Sequence, residues 1–356
     1  MSGAQAAINM AAYSPVIFGI EGLNLSADEA AFFHDVRPWG LILFARNIES
    51  LDQLRGLTDS LREILWRADL PILIDQEGGR VARLRPPLVA AYPPMGLYGD
   101  MFTVDRARAI EAARLGAALL AQDLYELGIN IDCTPCLDLR LPETSNVIGD
   151  RAFGDDVTRC VALGRAVMDG LEMGGTLPVV KHMPGHGRAL VDSHHELPRI
   201  TADRATLEQT DFEVFKQLND ALIGMTGHLL YEAIDAETVS TCSKPVIEGV
   251  IRRHIGFDGL LMSDDISMSA LSDDIGARVT AALMAGCDMV LHCNGDMSEM
   301  QNVAAALPSR PSVDAAPRIQ RVDDALHMLA SEVPKGARKV WGELMGDVFP
   351  ESQNAL

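Results

Sequence analysis

Basic residues are scarce in this chain. Its 356 residues carry 30 Lys and Arg against 50 Asp and Glu, a formal net charge of −20, and its sequence pI is near 4.8. An excess of carboxylates repels phosphate backbones, so no nucleic-acid partner is expected. Arg310, Arg318 and Arg321, towards the C-terminus, are scattered and form no basic patch. No apolar run reaches the roughly eighteen residues that a helical membrane span needs, so no membrane partner is expected. The opening segment MSGAQAAINMAAYSPV has neither the basic start nor the continuous apolar core of a secretory signal, which points to the cytoplasm. No G-x-G-x-x-G turn follows the first predicted strand, which argues against a dinucleotide fold. A single C-x-x-C, Cys133-Thr-Pro-Cys136, has no second copy to complete a zinc site, and it ends a strand rather than opening a helix. Packing accounts for these cysteines, and no cofactor or metal is expected. Neither a linker nor a repeat divides the sequence, so residues 1–356 are read as one domain.

The composition is that of a chain with a sizeable core, 48% hydrophobic and 22% charged. Short apolar or β-branched runs recur along it, predicting eight strands: Val16–Ile20, Leu41–Phe44, Ile72–Asp75, Ile129–Cys133, Pro178–His182, Leu222–Thr226, Leu260–Ser263 and Met289–Cys293. Amphipathic stretches alternate with them at Leu51–Arg67, Asp105–Leu127, Val157–Gly170, Leu207–Leu218, Val246–His254 and Asp274–Ala285. Strand–helix alternation implies parallel pairing with right-handed crossovers. Eight such units predict a (β/α)₈ barrel of the TIM type over about residues 14–300, with C-terminal helices to about 345 and a loose tail at 346–356. Asp75, Lys181, His182, His228 and Asp264 all fall at or just past strand ends, the face where such barrels build their sites.

The most telling stretch is Lys181 to Pro198, KHMPGHGRALVDSHHELP. It holds four of the nine histidines, His182, His186, His194 and His195, together with Lys181 and Asp192. An ordinary solvated loop has no reason to gather groups that titrate near neutrality. The third strand delivers Asp75-Gln-Glu-Gly-Gly-Arg-Val-Ala-Arg83, an acid followed by two arginines, a set suited to the vicinal hydroxyls of a sugar. Asn146 to Gly154 presents Arg151 on a Gly-bounded loop. The seventh strand ends in Asp264-Asp265. One acid is explained as an N-cap for the next helix, most naturally Asp265, which leaves Asp264 free to face the barrel mouth because strand side chains alternate.

Taken in order, DQEGGRVARL, IGDRAFG, KHMPGHG…DSHHELP and SDDISM resemble the bacterial β-N-acetylglucosaminidases of glycoside hydrolase family three over about residues 14 to 300. The match is to the single-domain cytoplasmic form that acts on muropeptides in cell-wall recycling. The resemblance implies that Asp264 is the nucleophile, that His194, assisted by Asp192, is the general acid/base, and that Asp75, Arg83, Arg151, Lys181 and His182 bind the sugar. It implies a small carbohydrate partner, an N-acetylglucosamine-containing muropeptide or chitooligosaccharide, and a monomer. Met183 stands where the family usually has Phe, a flexible apolar replacement. His195 directly follows His194, and either of the two adjacent histidines could act.

On that basis an imidazolium protonates the leaving oxygen while Asp264 meets the oxocarbenium-like centre, and water releases a covalent glycosyl–aspartate with retained configuration. Lys181 is expected to keep Asp264 ionised, and Gly185–Gly187 to act as a hinge for loop closure. Three alternatives stay open from the residues. A histidine acid/base does not repel phosphate, so a phosphorylase is one. A metal hydrolase using His182, His186, His194 and Asp192 is a second, although Pro184-Gly185 prevents the helix that its spacing needs. A non-catalytic sugar-binding barrel is the third.

Overall fold

The computed structural model describes residues 13–142, 146–191, 197–271 and 274–350. Eight parallel strands close into a barrel in chain order: β1 Ser14–Gly19, β2 Pro38–Leu43, β3 Ile72–Ile74, β4 Ile131–Asp132, β5 Leu177–Met183, β6 Ile223–Thr226, β7 Leu260–Asp265 and β8 Met289–His292. Pairing of Val16 with Val290 closes the ring between β8 and β1. This is the (β/α)₈ barrel that the alternation predicted, and each strand starts within three residues of its predicted start. The strands are buried on both faces, which is why they read as continuous apolar runs in the sequence.

Successive side chains divide the apolar residues between two cores. Ile17, Ile42, Leu73, Ile131, Val179, Ile223, Met262 and Leu291 fill the barrel interior. Val16, Phe18, Leu41, Ile72 and Val180 point outward to the surrounding helices. The helices are α1 Ala27–Val36, α2 Leu51–Leu65, α3 Met95–Val104, α4 Arg106–Tyr125, α5 Val157–Gly174, α6 Arg204–Gln209, α7 Asp211–Gln217, a wide π-helical segment Pro245–Ile255, α8 Ile275–Ala285, α9 Met297–Ala306, α10 Ala315–Met328 and α11 Ala337–Met345. In α2, Leu54, Leu57, Leu61 and Leu65 recur at helical spacing and are buried, and Ser50 caps the first turn by accepting from Gln53 N. Helices α4 and α5 pack backbone to backbone: a Cβ on Gly170 would stand 2.2 Å from the Arg114 carbonyl oxygen. Among the described residues no helix is long and apolar enough to cross a membrane.

One end of the barrel is plugged. Ala315, Ile319, Val322 and Leu326 of α10 join the interior core, and Asp323 accepts from Trp39 Nε1 at 3.0 Å. The carboxyl ends of the strands are left for the site. Three features depart from the sequence expectation. The stretch Leu207–Leu218 is two helices, broken at Thr210, whose hydroxyl bonds the Thr206 carbonyl and the Asp211 carboxylate while Arg188 draws both side chains aside. Helices α1 and α3 were not anticipated. The expected loose tail is ordered in its first turn, Gly346–Val348, next to buried Trp341, and residues 351–356 lie outside the described set.

Candidate active site

A cleft of about 550 Å³ opens at the carboxyl ends of the strands, bordered by Phe44, Asp75, Arg83, Arg151, Lys181, His182, Asp264, Met268 and Cys293. All five residues expected to bind the sugar, and the expected nucleophile, therefore line one cavity. Its floor is a chain of buried ion pairs. Lys181 Nζ, at the end of β5, lies 2.9 Å from Asp75 Oδ1 and 2.7 Å from Glu77 Oε1. Arg83 holds the other Asp75 oxygen at 2.9 Å. Arg151 grips Glu77 with two bonds, 2.9 Å through Nε and 2.7 Å through a terminal nitrogen. Planar two-point pairing of this kind fixes the guanidinium plane as well as its position.

Electrostatics follow from that wiring. Burial alone would raise the Asp75 carboxyl, but Lys181 and Arg83 hold it well below the usual carboxylate range. Burial opposes ionisation of Glu77 too, and Arg151 and Lys181 outweigh it, bringing Glu77 to about 2. Lys181 is raised in turn: burial is outweighed by its two carboxylates. Beneath this layer Asp132 pairs with no cation among the described residues, and burial lifts it to about 8.

His182 is aimed by a residue that the sequence did not single out. Asp138 lies 2.6 Å from His182 Nδ1 and accepts from the backbone N–H groups of His182 at 3.3 Å and His186 at 2.6 Å. Burial would raise Asp138, yet His182 and His186 keep it below the ordinary range. The remaining nitrogen of His182 turns to Arg151 at 3.5 Å. Cys136, Asp138 and His182 cluster closely enough to hold a metal ion. In the structure Asp138 is bonded to His182 Nδ1, and burial pushes the Cys136 thiol up. Both cysteines of the C-x-x-C are buried, as packing residues are.

Asp264 sits near the end of β7. Burial would raise it, and His228, then His182 and Lys181, outweigh that and lower it. Lys181 lowers it as expected, though its effect is smaller than those of His228 and His182. Asp265 is not an N-cap. Its oxygens accept from Ser267 N, Ser267 Oγ and Cys293 N, closing the turn after β7, and Asp274 caps α8 instead.

The loop that carries the other expected catalytic groups is described only at its feet. Asp192, His194 and His195 lie outside the described residues. The first foot is held by several contacts: Gly185 O accepts from the Tyr231 hydroxyl, His186 N is held by Asp138, and a Cβ at Gly187 would meet the Leu139 backbone. Gly185 is required by its φ of 141°, which places it in turn geometry closed to other residues. The second foot, Arg199–Ile200, pairs with Leu230–Tyr231, so both feet rest on the segment after β6.

Residues 13–324 match the family Glycosyl hydrolase family 3 N terminal domain. This chain belongs to glycosyl hydrolase family 3. It is 39% identical over 312 residues to a β-hexosaminidase of Chromobacterium violaceum, covering 86% of each chain. A β-hexosaminidase of Alkalilimnicola ehrlichii is 40% identical over 284 residues, 79% of this chain and 80% of that protein. Among solved structures, native NagZ from Neisseria gonorrhoeae superposes with a TM-score of 0.83 at 28% identity, covering 97% of this chain and 98% of that one. The same enzyme in complex with N-trifluoroacetyl-D-glucosamine gives 0.83 at 29% identity over 93% and 97%.

Within this family-3 barrel the residues missed at the sequence level are Glu77 and Asp138. Each stands behind a sugar-binding candidate rather than at a strand end. The one available signal was Glu77's place in the D-Q-E-G-G run, two residues beyond Asp75.

Proposed function

We propose that this chain is a retaining β-N-acetylhexosaminidase that removes terminal non-reducing β-linked N-acetylglucosamine. Membership of family 3 and relatives named β-hexosaminidase support the reaction class. One observation supports the assignment of the nucleophile. Among the described carboxylates of the cleft, both oxygens of Asp75 are tied to cations and both of Asp265 hold backbone or hydroxyl donors. Asp264 accepts the Asp265 N–H through Oδ1 at 2.8 Å, which leaves its second oxygen to meet an electron-poor carbon.

In this mechanism the Asp264 carboxylate attacks the anomeric carbon as the bond to the leaving oxygen breaks. His194, its ring oriented by Asp192, gives that oxygen a proton. Water, deprotonated by the now neutral His194, then attacks the same carbon and Asp264 departs, so configuration is retained. Asp75, Arg83, Arg151, Lys181 and His182 hold the sugar hydroxyls, and their fixed pairing means that little reorganisation is needed as the substrate enters. A muropeptide from cell-wall recycling is the proposed natural substrate, the cytoplasm the proposed location and a single-domain monomer the proposed form.

The test is hydrolysis of an aryl β-N-acetylglucosaminide beside the aryl β-glucoside, with the anomer of the first-formed sugar read by NMR. Preference for the acetamido sugar and release of the β-anomer are expected, and first-formed α-anomer contradicts the retaining route. Sugar 1-phosphate formed in phosphate buffer would make the chain a phosphorylase, and loss of rate with a chelator would make it a metal hydrolase.

A further inference from the structure

The sheet's register pairs skip Asp264 itself, although Asp265 pairs with Leu291 and Ile266 N–H donates to the Leu291 carbonyl at 2.9 Å. On the β6 side the last backbone register pair is Met225 with Met262, short of Asp264. On the β8 side the register slips between the Met289–Met262 and Leu291–Asp265 pairs. Irregularities of this kind re-aim a side chain near a site, but they leave its angle to be set by something else.

A closed run of hydrogen bonds, fully buried between Thr226, Thr241 and His228, supplies that control. The Asp264 N–H donates to Thr226 Oγ1 at 3.3 Å. Thr226 Oγ1 lies 2.8 Å from Thr241 Oγ1, which lies 2.8 Å from His228 Nδ1. His228 Nε2 completes the circuit at the Asp265 carbonyl oxygen, 2.9 Å away. Thr226, Thr241 and His228 are each 0% exposed, so water cannot replace any member.

The two ends of the run have fixed polarity. A backbone N–H can only donate, and a carbonyl can only accept, so His228 Nε2 carries a hydrogen. With a neutral ring, Thr226 donates to Thr241 and Thr241 donates to Nδ1, and each hydroxyl is both donor and acceptor. With a protonated ring, Nδ1 donates to Thr241, whose own hydrogen then reaches the Gly227 carbonyl at 3.3 Å. In both states the two flanks of Asp264 stay tied.

We propose that Thr226, Thr241 and His228 form a positioning ring that fixes the peptide groups flanking Asp264, and with them the direction from which its carboxylate meets the anomeric carbon. The ring touches neither substrate nor reacting atom and acts only through Asp264. It rests on Asp264 being the nucleophile.

The experiment compares Thr241→Val and Thr241→Ser with wild type on an aryl β-N-acetylglucosaminide. Inhibition by N-acetylglucosamine and the unfolding midpoint are measured on the same preparations. Valine keeps the shape of threonine without its hydroxyl, whereas serine keeps the hydroxyl without the methyl. Expected is a fall in kcat of about ten- to a hundredfold for Thr241→Val, the scale of a small misplacement of a reacting group. The inhibition constant for N-acetylglucosamine should stay within about twofold, since ground-state binding is untouched. Thr241→Ser should recover most of the rate. A wild-type kcat in Thr241→Val, or a serine variant as slow as the valine one, overturns the ring. If Thr241→Val does not fold, Thr226→Val and Thr226→Ser put the same question from the other end, with the same outcomes. Asp264→Ala run in parallel separates the two levels. Activity surviving there removes the nucleophile assignment, whereas a dead Asp264→Ala beside a wild-type-like Thr241→Val removes only the ring.

Discussion

Replacing Glu77 with Gln keeps the shape of a side chain that is 1% exposed and removes the charge that holds two cations. Lys181 retains Asp75 at 2.9 Å, but Arg151 loses its only carboxylate in contact among the described residues and keeps the Val147 carbonyl at 3.3 Å. Two routes give the size of the effect. Removing one partner of a buried pair costs about 3–5 kcal/mol, and Gln, which still accepts one hydrogen bond, belongs at the lower end. Independently, a carboxyl that ionises near 2 in the fold and near 4.5 when unfolded stabilises the fold by about 3 kcal/mol at neutral pH. For a domain of this size that is a fall in Tm of about 5 °C. The sign with pH follows from the depressed folded value. The stabilisation is fully present above 4.5 and is lost as pH falls toward 2, so the gap between wild type and Glu77→Gln should be constant from pH 7 to 5 and narrow below 4.5. Thermal unfolding of both proteins across pH 3.5 to 7 measures it. A Tm at pH 7 within about one degree of wild type, or a gap that does not change with pH, would refute the shared-carboxylate account.

Two further outcomes follow from the site. Asp75→Ala and Arg151→Ala should each raise KM strongly and also lower kcat, because hydroxyl contacts tighten in the transition state, and unchanged steady-state kinetics in both would make these loops structural. His194→Ala should cut release of a sugar leaving group far more than release of a dinitrophenol, which departs without a proton, while His195→Ala keeps most activity on both. The opposite pattern exchanges the roles of the two neighbours.

The barrel was legible because strands buried on both faces leave short apolar runs that only their flanking turns interrupt, and all eight were found from that signal. Helix α1 was not, since it buries only Glu29 and Phe33 and so has no apolar stripe; its signal was the capping box formed by Ser26 and Glu29. Helix α3, Met95–Val104, is apolar nearly all round and gives no helical period. At the site, Asp75, Lys181, His182 and Asp264 were legible because polar groups at strand ends must converge on one face. Glu77 had only its place two residues beyond Asp75 as a signal, and His228 only its strand-end position; the roles of Asp138 and of the Thr226–Thr241–His228 circuit depend on contacts between separate segments, which the order of residues does not show. The reading of Asp265 as a cap failed for a related reason: its partner Cys293 N belongs to the neighbouring strand end, 28 residues on.

The central claim is that Asp264 forms a covalent bond to the sugar. A slow substrate such as a 2-deoxy-2-fluoro glycoside with a good leaving group should accumulate the intermediate, and peptide mass spectrometry after acid quench then locates the adduct. A mass increase of one glycosyl group on Asp264, absent from Asp265 and abolished in Asp264→Ala, is the expected result. A label on Asp265 or any other residue would contradict the account.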